Sequence, residues 1–418
     1  MPTIKNMLAR KVFDSRGVET LEIDIITENG FGRVAAPFGA PGSRGKFEVP
    51  AYSPEGLNKS IEIIETEIKP KILGLSSTDQ ERIDSILREI DGTNNFERIG
   101  GNTSSSISLA VAKAAASALK MPLYKYLALN NNFTYPYPLG NMIGGGAHGM
   151  GSAPDMQEHL VAPIGARNIE EAVTANIKVH EKIGKVLEVK DLSFAGGMDD
   201  ERAWVANLTD VEALDIIYDV CREVTEKTGI RFGIGLDLAA DRLWNPETKE
   251  YEYQREGKSR TAEEQINFLS SLIERYSLFY IEDAFHSDDY LSFAVLNKKY
   301  GKCCFICADD LFASNPERTK RGIKLNSANA MIIKPNQVGT LTAILETFKI
   351  AQENKVKVIV SHRSGETYDA SIAHIAVGWQ LSMIKTGVLG GERLAKLNEL
   401  LRISEDYGMA DLRFSPYF

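Results

Sequence analysis

Alternating apolar and polar residues near the start of the chain predict a β-hairpin. Residues 20–36 alternate on both sides of Asn29-Gly30, a dipeptide that favours the tight turn between two antiparallel strands. Two helical patterns follow, and the second runs from Ser105 to Leu119 before Pro122. Strands followed by helices predict a small α+β unit, and we place its end at residue 130, where a polar stretch begins.

The first helical pattern has a start signal, an apolar face and a stop signal. Thr78 precedes Glu81 as a capping box, and Gly92 ends the pattern. The apolar residues recur at helical spacing and are Ile83, Ile86, Leu87 and Ile90. We therefore expect an amphipathic helix that begins after Thr78 and stops before Gly92.

The remainder of the chain, residues 131–418, carries short apolar runs that each end in polar residues. The clearest runs lie at 232–237, 278–283, 304–310, 330–336 and 357–363. Helical patterns such as Thr261–Glu274 and Thr340–Asn354 separate them. Strands that alternate with helices predict an α/β fold, and this spacing is typical of a β/α barrel of the TIM type.

Polar residues at the ends of these runs are expected to meet. In such a barrel the carboxyl ends of all parallel strands face one mouth. The residues concerned are Asp237, Glu282, Asp309 or Asp310, Lys334, His362 and Arg363. Three carboxylates repel one another unless a cation lies between them, and hard oxygen ligands favour Mg²⁺ over Zn²⁺. The sequence therefore predicts a Mg²⁺ site, although a single strand-end aspartate is more often a helix N-cap.

Lys334 suits the role of a base. Beside a divalent cation its pKa should fall below the ordinary value, and a neutral lysine can abstract a proton. The alternative is that Lys334 only pairs with the carboxylates. These groups together predict removal of a proton next to a carboxylate, with the metal holding the resulting ene-diolate. The acid that such a reaction needs is either Glu158 or Glu201.

Arg363 and Ser364, which follow His362, suit a phosphate. A guanidinium offers a planar fork of donors, and the serine adds a hydroxyl. An ordinary βα turn is the alternative interpretation of this segment. The predicted ligand is therefore a small phosphorylated carboxylate.

Composition and charge exclude other classes of partner. The 418 residues include 48 Lys and Arg against 57 Asp and Glu, a net charge of −9. This charge disfavours a nucleic-acid groove or an anionic membrane surface. We find neither a membrane-spanning run nor a signal peptide, so we expect a cytoplasmic protein. The four cysteines fit a reducing compartment, and Cys304 and Cys307 are predicted to be apolar residues of a buried strand.

A series of blocks in the chain resembles the enolase (phosphopyruvate hydratase) family over nearly the whole length. The resemblance implies an N-terminal α+β capping domain, residues 1–130, and an eight-stranded β/α barrel, residues 131–418, that begins ββαα. The matching blocks are 14–17, 108–116, 141–148, 157–158, 236–240, 281–283, 308–311, 333–340, 361–367, 384–387 and 392–396.

The resemblance also implies roles for individual residues and a reaction. The family dehydrates 2-phosphoglycerate to phosphoenolpyruvate in glycolysis, and its members are usually homo-oligomers. The implied first Mg²⁺ ligands are Asp237, Glu282 and Asp309. The other implied roles are Lys334 as base, Glu201 as acid, Lys385 and Gln157 on the substrate carboxylate, Arg363 and Ser364 on the phosphate, and His148, Glu158 and His362 around the pocket.

Two departures from the family pattern fall beside these residues. The family loop Pro-Ser-Gly-Ala-Ser-Thr-Gly is replaced by residues 37–43, in which Pro41 stands where a serine helps bind a second Mg²⁺. Proline lacks both a hydroxyl and a backbone N–H, so Ser43 or Arg44 would have to compensate. Arg202 stands where a glycine usually follows the acid, and we expect its charge to favour the carboxylate form of Glu201.

The residues leave two further functions open. One is a lyase or racemase of the same superfamily that acts on a different acid, suggested by Phe38 and Pro41 in the loop. Arg363 and Ser364 argue against an unphosphorylated substrate. The other is a non-catalytic paralogue that binds a ligand or a partner.

Overall fold

A small antiparallel sheet and a set of helices form the N-terminal unit. The structure is a computed structural model and describes residues 1–39, 45–149, 153–406 and Phe414. The elements of the unit are β1 (Ile4–Phe13), β2 (Glu19–Thr27), β3 (Phe31–Ala35), α1 (Leu57–Ile63), a π-helical turn (Ile64–Ile68), α2 (Lys69–Ile72), α3 (Gln80–Asp91), α4 (Gly101–Ala118) and α5 (Leu123–Leu127). β2 pairs with both β1 and β3, so the predicted hairpin about Asn29-Gly30 is confirmed.

The two helices predicted in this unit are present with different starts. The N-cap of α3 is Asp79, whose side chain accepts from Arg82 N, so the Thr78/Glu81 capping box is wrong by one residue. Asp79 is itself a good cap and lies one position closer to the helix. α4 begins at Gly101, four residues before the predicted start at Ser105. Its first turn consists of small polar residues of low helix propensity, and burial of that turn overrides the propensity.

Helix α4 lies against the sheet at very short range. A Cβ added to Gly32 of β3 would lie 2.0 Å from the carbonyl oxygen of Ala110 and 2.5 Å from Ala114 N. No side chain other than that of glycine therefore fits at this position. On the helix, alanines such as Ala110 and Ala114 keep the facing surface flat, and both are fully buried.

A buried carboxylate joins the three strands of this sheet. Asp24 of β2 accepts two hydrogen bonds from Arg33 of β3, at 2.6 and 2.7 Å, and one from Arg10 of β1 at 2.5 Å. Burial alone would raise the pKa of Asp24, but the hydrogen bonds from Arg33 and Arg10 lower it to about 2. The two arginine side chains are 52% and 35% exposed, so solvent screens part of this attraction.

We expect Asp24→Asn to lower the free energy of unfolding by about 1–2 kcal/mol at neutral pH. A carboxyl whose folded pKa is depressed contributes stability above its unfolded value, and loses it as the pH falls through the folded value. The difference between wild type and variant should therefore shrink as the pH falls from 3.8 towards 2. Urea midpoints measured from pH 7 down to pH 3 check this, and Glu28→Gln, which breaks the exposed Lys5 pair, is the control. A constant difference across the pH range would contradict the assignment.

The rest of the chain forms a closed barrel of eight strands, in the order β10-β11-β12-β13-β14-β4-β5-β6. The elements of this part of the chain are β4 (Tyr137–Gly144), β5 (Glu158–Ala162), α6 (Ile169–Lys190), α7 (Asp210–Thr228), β6 (Gly233–Asp237), β7 (Trp244–Asn245), β8 (Glu250–Tyr253), β9 (Lys258–Arg260), α8 (Ala262–Tyr276), β10 (Tyr280–Glu282), α9 (Tyr290–Tyr300), β11 (Phe305–Ala308), α10 (Pro316–Leu325), β12 (Ala330–Ile333), α11 (Pro335–Val338), α12 (Leu341–Glu353), β13 (Lys357–Ser361), α13 (Ser371–Gly378), β14 (Met383–Lys385) and α14 (Gly391–Asp406). The short strands β7, β8 and β9 form a separate antiparallel sheet. The five apolar runs identified in the sequence are β6, β10, β11, β12 and β13, as predicted.

The barrel begins with two antiparallel pairings. β5 runs antiparallel to both β4 and β6, and two helices, α6 and α7, separate β5 from β6. All other neighbouring barrel strands are parallel. The ββαα start expected from the resemblance is therefore confirmed, together with the fold class: an α/β eight-stranded TIM-type barrel with an N-terminal α+β domain.

Large side chains fill the barrel interior. Tyr280 and Phe305 lie there together with Cys307, and all three are buried. β6 contributes Gly233 and Gly235, and added Cβ atoms at these positions would lie 2.7 Å from the Phe279 ring and 2.9 Å from Tyr280 Cβ. The interior is thus a packed core. Cys307 acts there as an apolar residue, as predicted, and its thiol is free.

The N-terminal unit contacts the barrel at the mouth formed by the strand ends. Phe38 and Gly365 exchange two backbone hydrogen bonds, of 2.7 and 3.0 Å. Ser15 N donates to the carbonyl oxygen of Glu366 at 2.8 Å. In the part of the chain that is described, no helix is both long and apolar enough to cross a membrane.

Candidate active site

The predicted site residues lie together at the mouth of the barrel. They surround a cavity at the ends of the barrel strands. The predicted residues that line it are His148, Gln157, Glu158, Glu201, Asp237, Asp309, Lys334, His362, Arg363, Ser364 and Lys385. Glu282 lies beneath them and is fully buried. The convergence inferred from the strand ends is therefore correct.

Lys385, at the end of β14, joins three of the acidic residues. Its Nζ lies 2.8 Å from Asp237, 2.9 Å from Glu282 and 3.0 Å from Glu158. Burial alone would lower the pKa of Lys385, but these carboxylates raise it well above its ordinary value. A lysine charge therefore stands between two of the predicted metal ligands, which the sequence analysis did not anticipate.

The predicted metal ligands Asp237, Glu282 and Asp309 offer only oxygen atoms to a cation. Asp237 and Glu282 are paired across β6 and β10, and Asp309 follows the neighbouring β11. Glu282 Oε2 accepts from Tyr280 and Lys385, while Oε1 is buried and has no hydrogen-bond partner among the described residues. Burial and the neighbouring Asp237 raise the pKa of Glu282 to about 8. A donor set made only of oxygens, with one buried oxygen unpaired, suits a cation that prefers oxygen ligands.

A second acidic group stands beside these carboxylates. Potential ligand atoms of Asp283, Asp309 and Asp310 lie within 4.8 Å of one another. The Asp283 carboxylate accepts the backbone N–H groups of Asp309 and Asp310, each at 3.0 Å. Asp283 therefore shapes the turn after β11 and holds Asp309 in place. Gly45 packs so closely on this turn that a Cβ there would lie 2.2 Å from Asp310 Oδ1.

Lys334 donates a hydrogen bond to Asp309. Burial alone would lower the pKa of Lys334, but the Asp309 charge raises it above its ordinary value. This direction is opposite to the one we expect beside a cation. The side chains of the protein alone thus hold Lys334 protonated, and its backbone N–H is fixed by Ser314 Oγ at 2.9 Å.

Glu201 lies between two histidines. Its Oε1 is 3.5 Å from His362 Nε2 and 3.8 Å from His148 Nε2, and its Oε2 is buried without a hydrogen-bond partner among the described residues. Burial alone would raise the pKa of Glu201, but His362, His148 and Arg393 lower it to about 2. The Asp199 carboxylate holds this segment in place by accepting the backbone N–H groups of Glu201 and Ala203.

Arg202 is not among the groups with the largest effects on the pKa of Glu201. Arg202 is exposed, and its side chain lines a separate cavity that also contains Phe13 and Tyr368. Its backbone has φ of +66°, the left-handed region that favours glycine. Positive charges that act on Glu201 are those of His148 and Arg393.

The pKa values of His148 and Glu158 are both raised above their ordinary values. His148 Nδ1 lies 2.7 Å from Asp200. Burial alone would lower the pKa of His148, but Glu201 and Asp200 raise it to about 10. Burial and the Glu201 charge raise the pKa of Glu158 well above its ordinary value. Gln157, the neighbour of Glu158, has a buried Oε1 without a hydrogen-bond partner among the described residues, so it can accept from a ligand.

Arg363 is bound by a residue that the sequence analysis missed. Its Nη2 lies 2.9 Å from both carboxylate oxygens of Glu48, a residue of the N-terminal unit whose side chain is 2% exposed. Gln337 Nε2 donates to the Glu48 carboxylate at 3.3 Å and to Asp309 Oδ1 at 3.2 Å. Glu48 does not follow a barrel strand and is not part of a recognised motif. It reaches the barrel mouth from the N-terminal unit, so the strand-end pattern could not identify it. Pro41, Ser43 and Arg44 lie outside the described residues.

The pocket thus combines two kinds of group. Buried carboxylates lie beside Lys385 and Lys334, and an arginine and two histidines lie around Glu201 and Ser364. Buried acids and bases with strongly shifted pKa values are typical of catalytic sites. Such a pocket can bind a small anion and move protons on it.

Comparisons with known proteins agree with this geometry. The family model "Enolase, N-terminal domain" matches residues 4–127, and "Enolase, C-terminal TIM barrel domain" matches residues 132–413. Similar curated proteins include the enolases of Methanosphaera stadtmanae, 50% identical, and Methanothermobacter thermautotrophicus, 49% identical, each alignment covering 98% of this chain and 99% of the relative. The enolase of Pyrobaculum aerophilum is 43% identical, with 97% of each chain covered. The chain belongs to the enolase family.

Proposed function

We propose that this protein is an enolase-type lyase that dehydrates 2-phosphoglycerate to phosphoenolpyruvate. The observation that carries the proposal is the single cavity in which Lys334, Glu201 and Arg363 surround the strand-end carboxylates. Enolase relatives that align over nearly the full chain support the same reaction. The products are phosphoenolpyruvate and water.

Asp237, Glu282 and Asp309 are proposed to hold a metal ion, with Mg²⁺ as the ion that oxygen ligands favour. When bound, the cation would neutralise the charge that develops on the substrate carboxylate and, by drawing on the Asp309 charge, would lower the pKa of Lys334. The unpaired Oε1 of Glu282 supports this assignment. The Asp283 carboxylate, which is engaged by two backbone N–H groups, is proposed to support the site without binding the ion.

Lys334 is proposed to remove the proton from C2, and Glu201 to protonate the departing C3 hydroxyl. Removal of the C2 proton leaves the electron pair of the C2–H bond on the substrate as an ene-diolate. This pair then forms the C2–C3 double bond as the C3–O bond breaks, and the hydroxyl leaves as water with the proton from Glu201. Glu201 must be protonated for this step. The substrate brings a carboxylate and a phosphate, and these negative charges raise the pKa of nearby carboxyl groups from the low value caused by the two histidines and Arg393.

The remaining residues are proposed to bind and orient the substrate. Arg363 and Ser364 would bind the phosphate, because a guanidinium fork matches its oxygens. Lys385 and Gln157 would hold the carboxylate. His148, Glu158 and His362 would complete the wall around Glu201, which they approach from two sides of the barrel mouth.

The reaction is tested by following phosphoenolpyruvate formation from 2-phosphoglycerate while Mg²⁺ is titrated. We expect no turnover after treatment with a chelator and full recovery when Mg²⁺ is restored, because the three carboxylates then regain their cation. A shallow response at high Mg²⁺ is expected if Pro41 weakens a second metal site. Turnover of 2-phosphoglycerate that persists without any divalent cation would contradict the metal assignment. No turnover at any Mg²⁺ concentration would contradict the reaction, and a panel of other 2-hydroxy acids would then test the alternative superfamily activity.

Three further assignments accompany the proposal. We propose a domain boundary near residue 130, with residues 1–130 as the cap and 131–418 as the barrel, supported by family matches that end at 127 and resume at 132. We also propose a homo-oligomer, as in the family. A cytoplasmic location is proposed because glycolysis takes place there.

A further inference from the structure

Arg393 is a fully buried arginine that lies behind the wall of the pocket. It lies in the first turn of α14 and is not among the residues that line the cavity. Its Nη1 donates to His362 Nδ1 at 2.8 Å and to the carbonyl oxygen of Arg363 at 2.5 Å. Its Nη2 donates to the carbonyl oxygens of Asp200, at 2.9 Å, and Ser364, at 2.6 Å. One guanidinium therefore joins the segment after β13 to the segment that carries Glu201.

The contact with His362 determines where the imidazole carries its proton. Arginine has five N–H donors and no acceptor, and it stays protonated in proteins. The Nδ1 atom that faces it must therefore be the bare acceptor, which leaves the proton of the neutral ring on Nε2. The Nε2 atom is buried, has no hydrogen-bond partner among the described residues, and lies 3.5 Å from Glu201 Oε1.

The surroundings also disfavour the charged ring. Among the charged groups with the largest effects on His362, Glu201 favours protonation, while Arg393, Lys385 and Lys396 oppose it. Burial and these three cations hold the pKa of His362 well below its ordinary value. A protonated ring would also place a Nδ1–H donor against an arginine N–H donor.

We propose that Arg393 is a positioning residue that fixes His362 as the neutral Nε2–H tautomer. The N–H then points into the pocket beside Glu201, as a donor for a ligand oxygen at that place. In the proposed reaction this oxygen is the departing hydroxyl, so the role of the N–H in the reaction rests on the proposed function. The assignment of the tautomer does not depend on the proposed function.

The tautomer is tested by nitrogen NMR of the protein labelled at histidine, with the His362→Asn spectrum used to assign the signal. We expect the wild type to give the neutral Nε2–H pattern between pH 6 and pH 8. Arg393→Met removes the donor and should populate the Nδ1–H or the charged form, whereas Arg393→Lys keeps a donor and should retain the wild-type pattern. A wild-type Nδ1–H or charged ring, or an unchanged pattern in Arg393→Met, would overturn the proposal. If Arg393→Met does not fold, the wild-type and Arg393→Lys spectra decide.

Kinetics test the consequence for the pocket. We expect Arg393→Met to lower kcat about tenfold or more with KM within about threefold, and Arg393→Lys to recover most of the loss. The control is Arg260→Met, which removes another buried arginine, 8% exposed, that stacks on Tyr253 and Phe268. It should lose stability while kcat and the His362 signal stay unchanged. An unchanged kcat in Arg393→Met would overturn the catalytic consequence. A wild type without turnover would refute the proposed function and leave the NMR result to judge the tautomer.

Discussion

Lys334→Met is expected to lower kcat for dehydration of 2-phosphoglycerate by about 1,000-fold. The side chain keeps most of the buried volume but has no group that can accept the C2 proton. The variant should also fail to exchange the C2 hydrogen of 2-phosphoglycerate with deuterated solvent, a reaction that needs the base and not the acid. Phosphoenolpyruvate formation is followed by ultraviolet absorbance, and exchange by NMR of the recovered substrate.

Two controls accompany the Lys334 experiment. Lys320→Met removes an exposed lysine of α10 that pairs with Glu317, and it should keep wild-type activity. The thermal unfolding of Lys334→Met should be measured as well, because the change leaves the Asp309 carboxylate buried without its lysine. A folded Lys334→Met variant with wild-type turnover would exclude Lys334 as the base and would favour a different site for the chemistry.

Glu201→Gln is expected to lower kcat for dehydration by a similar factor, about 1,000-fold, while C2 hydrogen exchange continues. Glutamine keeps the shape of the side chain and its place beside His148 and His362, but it cannot supply a proton to the departing hydroxyl. The combination of lost dehydration and retained exchange separates the acid from the base, and the same NMR sample reports both.

The matched control for Glu201 is Asp191→Asn. Asp191 lies at the end of α6 and binds backbone N–H groups of Ser193 and Asn207, outside the barrel mouth. It should leave both rates unchanged. Loss of exchange together with dehydration in Glu201→Gln would argue that Glu201 positions the substrate for both steps and is not specifically the acid.

Strand ends were the most informative part of the sequence. A parallel barrel strand is apolar along its length and is followed by polar residues at the mouth. The ends of β6, β10 and β11 could therefore be located from the order of apolar and polar residues in the sequence. The same logic collected Asp237, Glu282 and Asp309 into one pocket. Boundaries of helices were less predictable, because an N-cap such as Asp79 competes with a neighbouring Thr78 that has a similar propensity.

Residues that act through tertiary contacts were not predictable. Glu48 reaches Arg363 across 315 residues of sequence, and nothing in its own segment distinguishes it from a surface glutamate. Arg393 belongs to a block that matched the family, yet only its contacts assign it to His362 and the neighbouring carbonyl groups. The exposure of Arg202 and its place in a separate cavity were also not predictable from its position next to Glu201.

The pairing of Glu48 with Arg363 has a consequence for attempts to exchange parts between related proteins. A chimaera that combines this barrel with a foreign N-terminal half would leave the Arg363 guanidinium, which is 4% exposed, without its carboxylate unless the donor supplies one at the same place. The N-terminal unit and the barrel can therefore be exchanged between relatives only if the Glu48–Arg363 pair is kept.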